Sequence, residues 1–130
     1  MEFYKECLGG QLKIQVIGES PHSQNLPKKM KDCILHSILR KDALVLMGSD
    51  IVPDGGLVRG NSVCLALDCS SAAEIKTIYK KLSAGGKASH PVEPTFWGNL
   101  YGTLTDRFGN HWVLNYAQDK RALPLQNGKI

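Results

Sequence analysis

Two segments of the chain follow one plan. Residues 2–14 read EFYKECLGGQLKI and residues 77–89 read TIYKKLSAGGKAS. Each has an aromatic-Lys step, a Leu, a Gly-Gly pair and then a strand-like run. Tyr4 matches Tyr79, and Gly9-Gly10 match Gly85-Gly86 with one residue inserted. A repeated unit limits the possible folds more than any local propensity does, because one supersecondary solution must serve both copies. Both copies lead into three strand-like runs, so the unit is strand–helix–strand–strand–strand, used twice. The second copy opens its strand at Ser62, 17 residues ahead of Tyr79, whereas only 3 residues precede Tyr4. Internal symmetry therefore expects a first strand, about 14 residues, that this chain lacks.

The remaining elements follow from periodicity. In QLKIQVI, residues 11–17, Leu12, Ile14 and Val16 share one face and Lys13 and Gln15 the other, which is a half-buried strand. GESPHSQNLPKK is a loop by its Gly, Pro, Ser and Asn content. CILHSILR and ALVLMGSD are strand-like runs about Lys41-Asp42, hence a hairpin. VPDGGLVRGN is a second loop, and SVCLALDC reads as a short, well-buried strand. Ser71 with Glu74 three residues on forms a capping box, and Ile75, Ile78, Tyr79 and Leu82 follow at helical spacing until Gly85-Gly86. A short strand near Lys87–Val92 is held to an edge by Pro91 and Pro94. Strands at about Leu100–Thr105 and His111–Tyr116 close the pattern, joined through Asp106-Arg107-Phe108-Gly109.

At 130 residues the prior is one domain: module one at 1–50, a loop at 51–61, module two at 62–116 and a tail at 117–130. No run of about 18 apolar residues supports a transmembrane helix. The N-terminus MEFYKECLGG lacks the basic start and apolar core of a signal peptide, so a cytoplasmic protein is expected. The net charge of +4 comes from scattered bases, with Lys28, Lys29 and Lys31 clustered in a loop-like stretch. A solvated basic loop explains them better than nucleic-acid binding. Cys7, Cys33, Cys64 and Cys69 show no C-x-x-C spacing, and read as free thiols, mostly buried.

EFYKECLGG, the HSILR…LMGSD pair and, above all, FWGNLYGTLTDRFGNHW resemble the PhnB-like branch of the glyoxalase/bleomycin-resistance (vicinal oxygen chelate) superfamily. The resemblance spans about residues 2–116. It implies an α+β fold in which two βαβββ modules form a cupped mixed sheet around a pocket, usually in a homodimer. A methyltransferase label attached to this branch finds no support in the residues, since no glycine-rich strand-to-helix turn with a following acid is present. Metal-dependent members of the superfamily take one His or Glu from each of the first, fourth, fifth and eighth strands. Carried over, the first position falls outside this chain, the fourth on Leu46, the fifth on Cys64 and the eighth on Val113. Leu and Val cannot ligate, and Cys64 alone is short of the roughly three protein ligands a catalytic metal needs. No metal and no cofactor are expected.

Strand alternation then assigns faces. With Val113 inside the cup, His111 and Asn115 join it, while Trp112, Leu114 and Tyr116 face the helices. Leu44, Leu46, Gly48 and Asp50 are placed on the cup face of their strand, as are Cys64, Ala66 and Asp68 on theirs. Trp97 stands at a strand entrance where it would close one end. The face of His36 depends on register: a two-residue turn at Lys41-Asp42 sets it opposite Met47 and toward the helices, and a three-residue turn through Ala43 sets it opposite Gly48 and into the cup. Trp97, His111, Asn115, Asp50, His36 and Cys64 are thus the candidate ligand-binding residues. They suit metal-free binding of a small polar or aromatic molecule. The alternative is a lyase or isomerase with His111 or His36 as base, or a superfamily enzyme with an unrecognised metal site. A homodimer is expected, without nucleic acid or membrane.

Overall fold

The computed structural model describes residues 1–118, which divide into two compact units, Met1–Arg59 and, from Gly60 on, the second. The first unit runs α1 (Glu2–Leu8), β1 (Gln11–Val16), a 3-10 turn (Ile17–Glu19), α2 (Lys28–Lys31), β2 (Ile34–Lys41) and β3 (Leu44–Gly48). The second runs β4 (Leu65–Asp68), α3 (Ala72–Ser83), β5 (Lys87–Pro94), β6 (Asn99–Thr105) and β7 (His111–Ala117). The strands form two sheets: an antiparallel one ordered β1-β2-β3 and a mixed one ordered β4-β7-β6-β5, in which β4 and β7 run parallel. This is the repeated module of the sequence, with the leading strand present in the second unit. Among the described residues no helix is long and apolar enough to cross a membrane.

In the second unit α3 covers one face of its sheet. Ile75, Ile78 and Leu82 are buried on the helix, and Leu100, Leu104, Trp112 and Leu114 are buried on the strands. Val113 lies on the other face, as the alternation in HWVLNY predicts. Ser71 caps α3 by accepting from Glu74 N at 3.0 Å. The reciprocal arm goes one residue further out than a standard capping box: the Glu74 carboxylate accepts from Ser70 N at 2.7 Å and from the Ser70 hydroxyl. Gly102 leaves room for the Tyr79 ring, whose hydroxyl reaches the carbonyls of His90 (2.9 Å) and Thr103 (3.1 Å). That bridge supports β5 and β6 where a bulge interrupts their register. β5 is one of the two edge strands, consistent with its two prolines.

In the first unit Phe3, Tyr4, Cys7 and Leu8 of α1 are buried, as are Ser37 and Leu39 of β2. The repeat also reappears as a repeated contact. A Cβ on Gly10 would overlap the Arg40 carbonyl oxygen at the end of β2, and one on Gly86 would overlap the Thr105 carbonyl oxygen at the end of β6. In each module the second glycine lets the chain press against the first strand of the last hairpin.

Four expectations change. The hairpin turn is Asp42-Ala43, with Asp42 at φ 50, so Lys41 pairs with Leu44 and Ser37 with Gly48. Leu44, Leu46 and Gly48 therefore share the covered face with Leu39 and Ser37, and Val45 and Met47 occupy the open one, because a one-residue slip exchanges the faces of a strand. SVCLALDC is short as expected but not well buried: β4 begins at Leu65, and Leu65, Ala66 and Asp68 are exposed. Lys28–Lys31 form a one-turn helix rather than a loop. Finally, Cys7 and Cys69 are buried as expected, whereas Cys64 is exposed. The suggestion that the tail stands in for a strand concerns residues 119–130, outside the described residues.

Candidate functional site

The geometry of the first site begins with a flaw in a strand. Gln15 pairs with His36 but Val16 pairs with Ile34, so Leu35 is an extra residue on β2. A bulge frees backbone groups and re-aims the neighbouring side chain. Here the freed groups are taken up from the far end of β3. The Asp50 carboxylate accepts from Ile34 N at 2.8 Å, Asp50 N donates to Ile34 O at 2.9 Å, and the Ser49 hydroxyl donates to Leu35 O at 2.9 Å. Asp50 is thus not a cup-facing residue of β3. It follows the strand and clamps the bulge beside His36.

His36 and Ile38 share the open face of β2, and their partners Gln15 and Lys13 share that face on β1. These four, with Ile14 and Glu19, line a groove of about 400 Å³. Glu19 enters from the 3-10 turn, whose position is fixed by Ile17 N donating to Cys33 O (2.9 Å) and by Ser23 Oγ donating to Gly18 O (2.9 Å). Gly18 packs against Lys31, where a Cβ would stand 3.2 Å from its carbonyl oxygen. Among the described residues, Lys13, Gln15, Glu19 and His36 make no side-chain hydrogen bond or ion pair. Lys13, Gln15, Glu19 and His36 thus leave their donors and acceptors open beside apolar Ile14 and Ile38, the mixed lining a binding groove uses.

The open face of the second sheet carries a different set. Asn115 Nδ2 donates to Asp68 Oδ1, and Asn99 Nδ2 donates to Asn115 Oδ1, both at 3.1 Å. An ionised carboxylate only accepts, so Asp68 fixes the orientation of both amides in turn. The row ends on Asn99 Oδ1, buried and without a partner. Thr105 Oγ1 and His111 Nδ1 are 2.9 Å apart on the same face. Trp97 lies in the β5–β6 turn, its ring centroid 4.7 Å from that of Phe96 at 90°. Phe96 is 98% exposed and Trp97 43%, so the pair projects from the turn.

Of the six residues singled out from the sequence, His36 lines the groove, and His111 and Asn115 share the open face of the second sheet. Asp50 acts one step back from the groove. Cys64 stands exposed ahead of β4, off the strand, and Trp97 projects from its turn. Sequence reasoning missed Lys13 and Gln15 because they look like any solvated strand face, and Glu19 because it lies in a stretch read as loop. It missed Asn99 because nothing local marks its link to Asn115.

Comparison with known proteins accounts for this architecture. The model of the Glyoxalase/Bleomycin resistance protein/Dioxygenase superfamily matches residues 1–114. This chain belongs to that superfamily. It is 30% identical to Protein YjdN of Escherichia coli, covering 91% of this chain and 86% of the relative. Among solved structures, protein PA1353 from Pseudomonas aeruginosa is similar at 36% identity with a TM-score of 0.75, covering 91% of this chain and 86% of that one. The PhnB protein from Bacillus cereus, described as a putative 3-demethylubiquinone-9 3-methyltransferase, shares the fold at 24% identity and a TM-score of 0.67, covering 90% and 88%.

The resemblance implies metal-ligand positions at Leu46, Cys64 and Val113. On the open face of the second sheet β7 offers Val113, and on the open face of the first sheet β3 offers Val45 and Met47. Leu46, carried over as the fourth-strand position, turns to the covered face. Among the described residues no group of three His, Cys, Asp or Glu side chains is placed to hold a metal ion. The donors present do not fit the superfamily's metal site.

The buried thiol of Cys69 is pushed up to about 11, first by burial and then by the negative charges of Glu74 and Asp68. Such a thiol is a poor nucleophile and a poor ligand near neutrality. Burial also raises the Tyr79 phenol, whose proton is committed to backbone carbonyls.

Proposed function

We propose that this protein binds a small polar or aromatic molecule, without a metal, in the groove on the open face of its first sheet. The observation that carries the reading is the groove itself. About 400 Å³ lies within the usual range for a small-molecule site, and its polar lining is unpartnered. The bulge at Leu35, held by Ser49 and Asp50, supports it by giving His36 a built rather than accidental position. An imidazole beside a lysine and a carboxylate offers both donors and acceptors near neutral pH.

The test is a fragment titration of chelator-treated, nitrogen-15-labelled protein, read residue by residue. Small polar and aromatic fragments should shift the amides of Lys13, Gln15, Glu19, His36 and Ile38. The reading is abandoned when shifts appear elsewhere, or only after zinc or nickel is supplied.

A further inference from the structure

The groove holds opposite charges that do not neutralise each other. Lys13 comes from β1 and Glu19 from the 3-10 turn that follows it, and both line the same space. Lys13 and Glu19 form no ion pair with each other or with any other described residue. Their backbones are fixed rather than free to drift together. Lys13 is held in register against Ile38 in the β1–β2 ladder. Glu19 follows a turn pinned to Cys33 and Ser23, with Gly18 packed on Lys31. His36 and Gln15 lie side by side on the same face as Lys13, and Ile38 supplies an apolar surface beside it.

From this we infer that the groove takes a dipolar ligand, a small molecule with a carboxylate and an ammonium separated by a short apolar spacer. The inference rests on the binding role proposed for the groove and names its chemistry. The ligand carboxylate meets Lys13 and a ring N–H of His36. The ligand ammonium meets Glu19, with the Gln15 amide able to serve either end. A cation and an anion that each lack a partner recognise a molecule carrying both charges better than one carrying either, because every charge then gains a charge-assisted hydrogen bond. Neither end of such a ligand is left facing a like charge.

The experiment titrates the full chain with a series of ω-amino acids from glycine to 6-aminohexanoate, following backbone amides by NMR at pH 6. Butyrate and butylammonium serve as single-charge controls. One member of the series should bind at least about tenfold more tightly than either control, each missing charge-assisted contact being of that order. Its shifts should map to Lys13, Gln15, Glu19 and His36. Lys13→Gln should reduce that member to the affinity of butylammonium, and Glu19→Gln to the affinity of butyrate. Both sites are exposed strand or turn positions, and an unchanged spectrum outside the groove confirms folding. The inference is overturned when the controls bind as tightly as every amino acid in the series, or when no member of the series perturbs the groove. Neutral fragments that still shift the groove amides would then leave the binding role standing without the dipolar preference.

Discussion

At the scale of single residues the most telling group is Asp50. Its carboxylate satisfies the Ile34 amide at the bulge, a partner 16 positions away that no local pattern reveals. Asp50→Ala is expected to cost about 1 kcal/mol, because the bond is charged but exposed. It should also broaden or move the His36 resonances; urea denaturation and NMR check the two halves. Asp106 is placed differently. It is buried and accepts from the amides of Phe108 and Asn110 and from the Trp112 indole, at 2.9, 3.0 and 2.9 Å. Asp106→Ala leaves three donors short of their acceptor and should destabilise the fold by roughly 3 kcal/mol in the same measurement. The cysteines separate by environment. Cys64 is exposed and Cys69 buried with its thiol at about 11, against an ordinary 9.0. At pH 8 an aromatic disulfide reagent should modify Cys64 quickly and Cys69 at least about 100-fold more slowly, two pH units of thiolate population. Because folding raises this thiol, its contribution to stability is complete below pH 9 and is lost as pH climbs from 9 through about 11.

At the scale of elements, some of the fold was plain in the sequence. Ser71 and Glu74 announced the start of α3, and the alternation of HWVLNY placed Val113 and Trp112 on opposite faces of β7. These signals are local, set by hydrogen bonds and periods within a few residues. The register of the β2–β3 hairpin was not legible, because it turns on Asp42 adopting a positive φ, which many turn residues do not. That slip moved Leu44, Leu46 and Gly48 to the covered face and carried the candidate metal position with them. The apolar run before Asp68 was misread as buried because composition does not say which neighbours a strand will find. The glycine pairs were legible as punctuation, but not as packing. Gly10→Ala and Gly86→Ala should each lower stability by about 1–3 kcal/mol through overlap with backbone oxygens, read as a drop in thermal midpoint. Exposed Gly55, which meets nothing within 4 Å, is the matched control and should tolerate Ala.

At the scale of the whole molecule, the two modules differ in one respect that matters for assembly. In the second sheet β7 carries β4 on its outer edge, whereas in the first sheet the outer edge of β3 carries no strand among the described residues. Val45 and Met47 are exposed on that strand. An open edge with apolar side chains favours pairing with another chain, and two-fold dimers are the commonest closed solution. We therefore propose a homodimer, for which sedimentation at micromolar concentration should return about twice 14.3 kDa; a mass near 14.3 kDa contradicts it. Function at this scale reduces to where a ligand goes, and the chain's four histidines supply the readout: His22, His36, His90 and His111. Only His36 lines the groove. The most direct measurement follows the four imidazole signals while fragments are added to metal-free protein. The His36 signal should move saturably while those of His90 and His111, on the second sheet, stay in place. Movement of His90 or His111 instead, or no movement until a divalent metal is present, contradicts it.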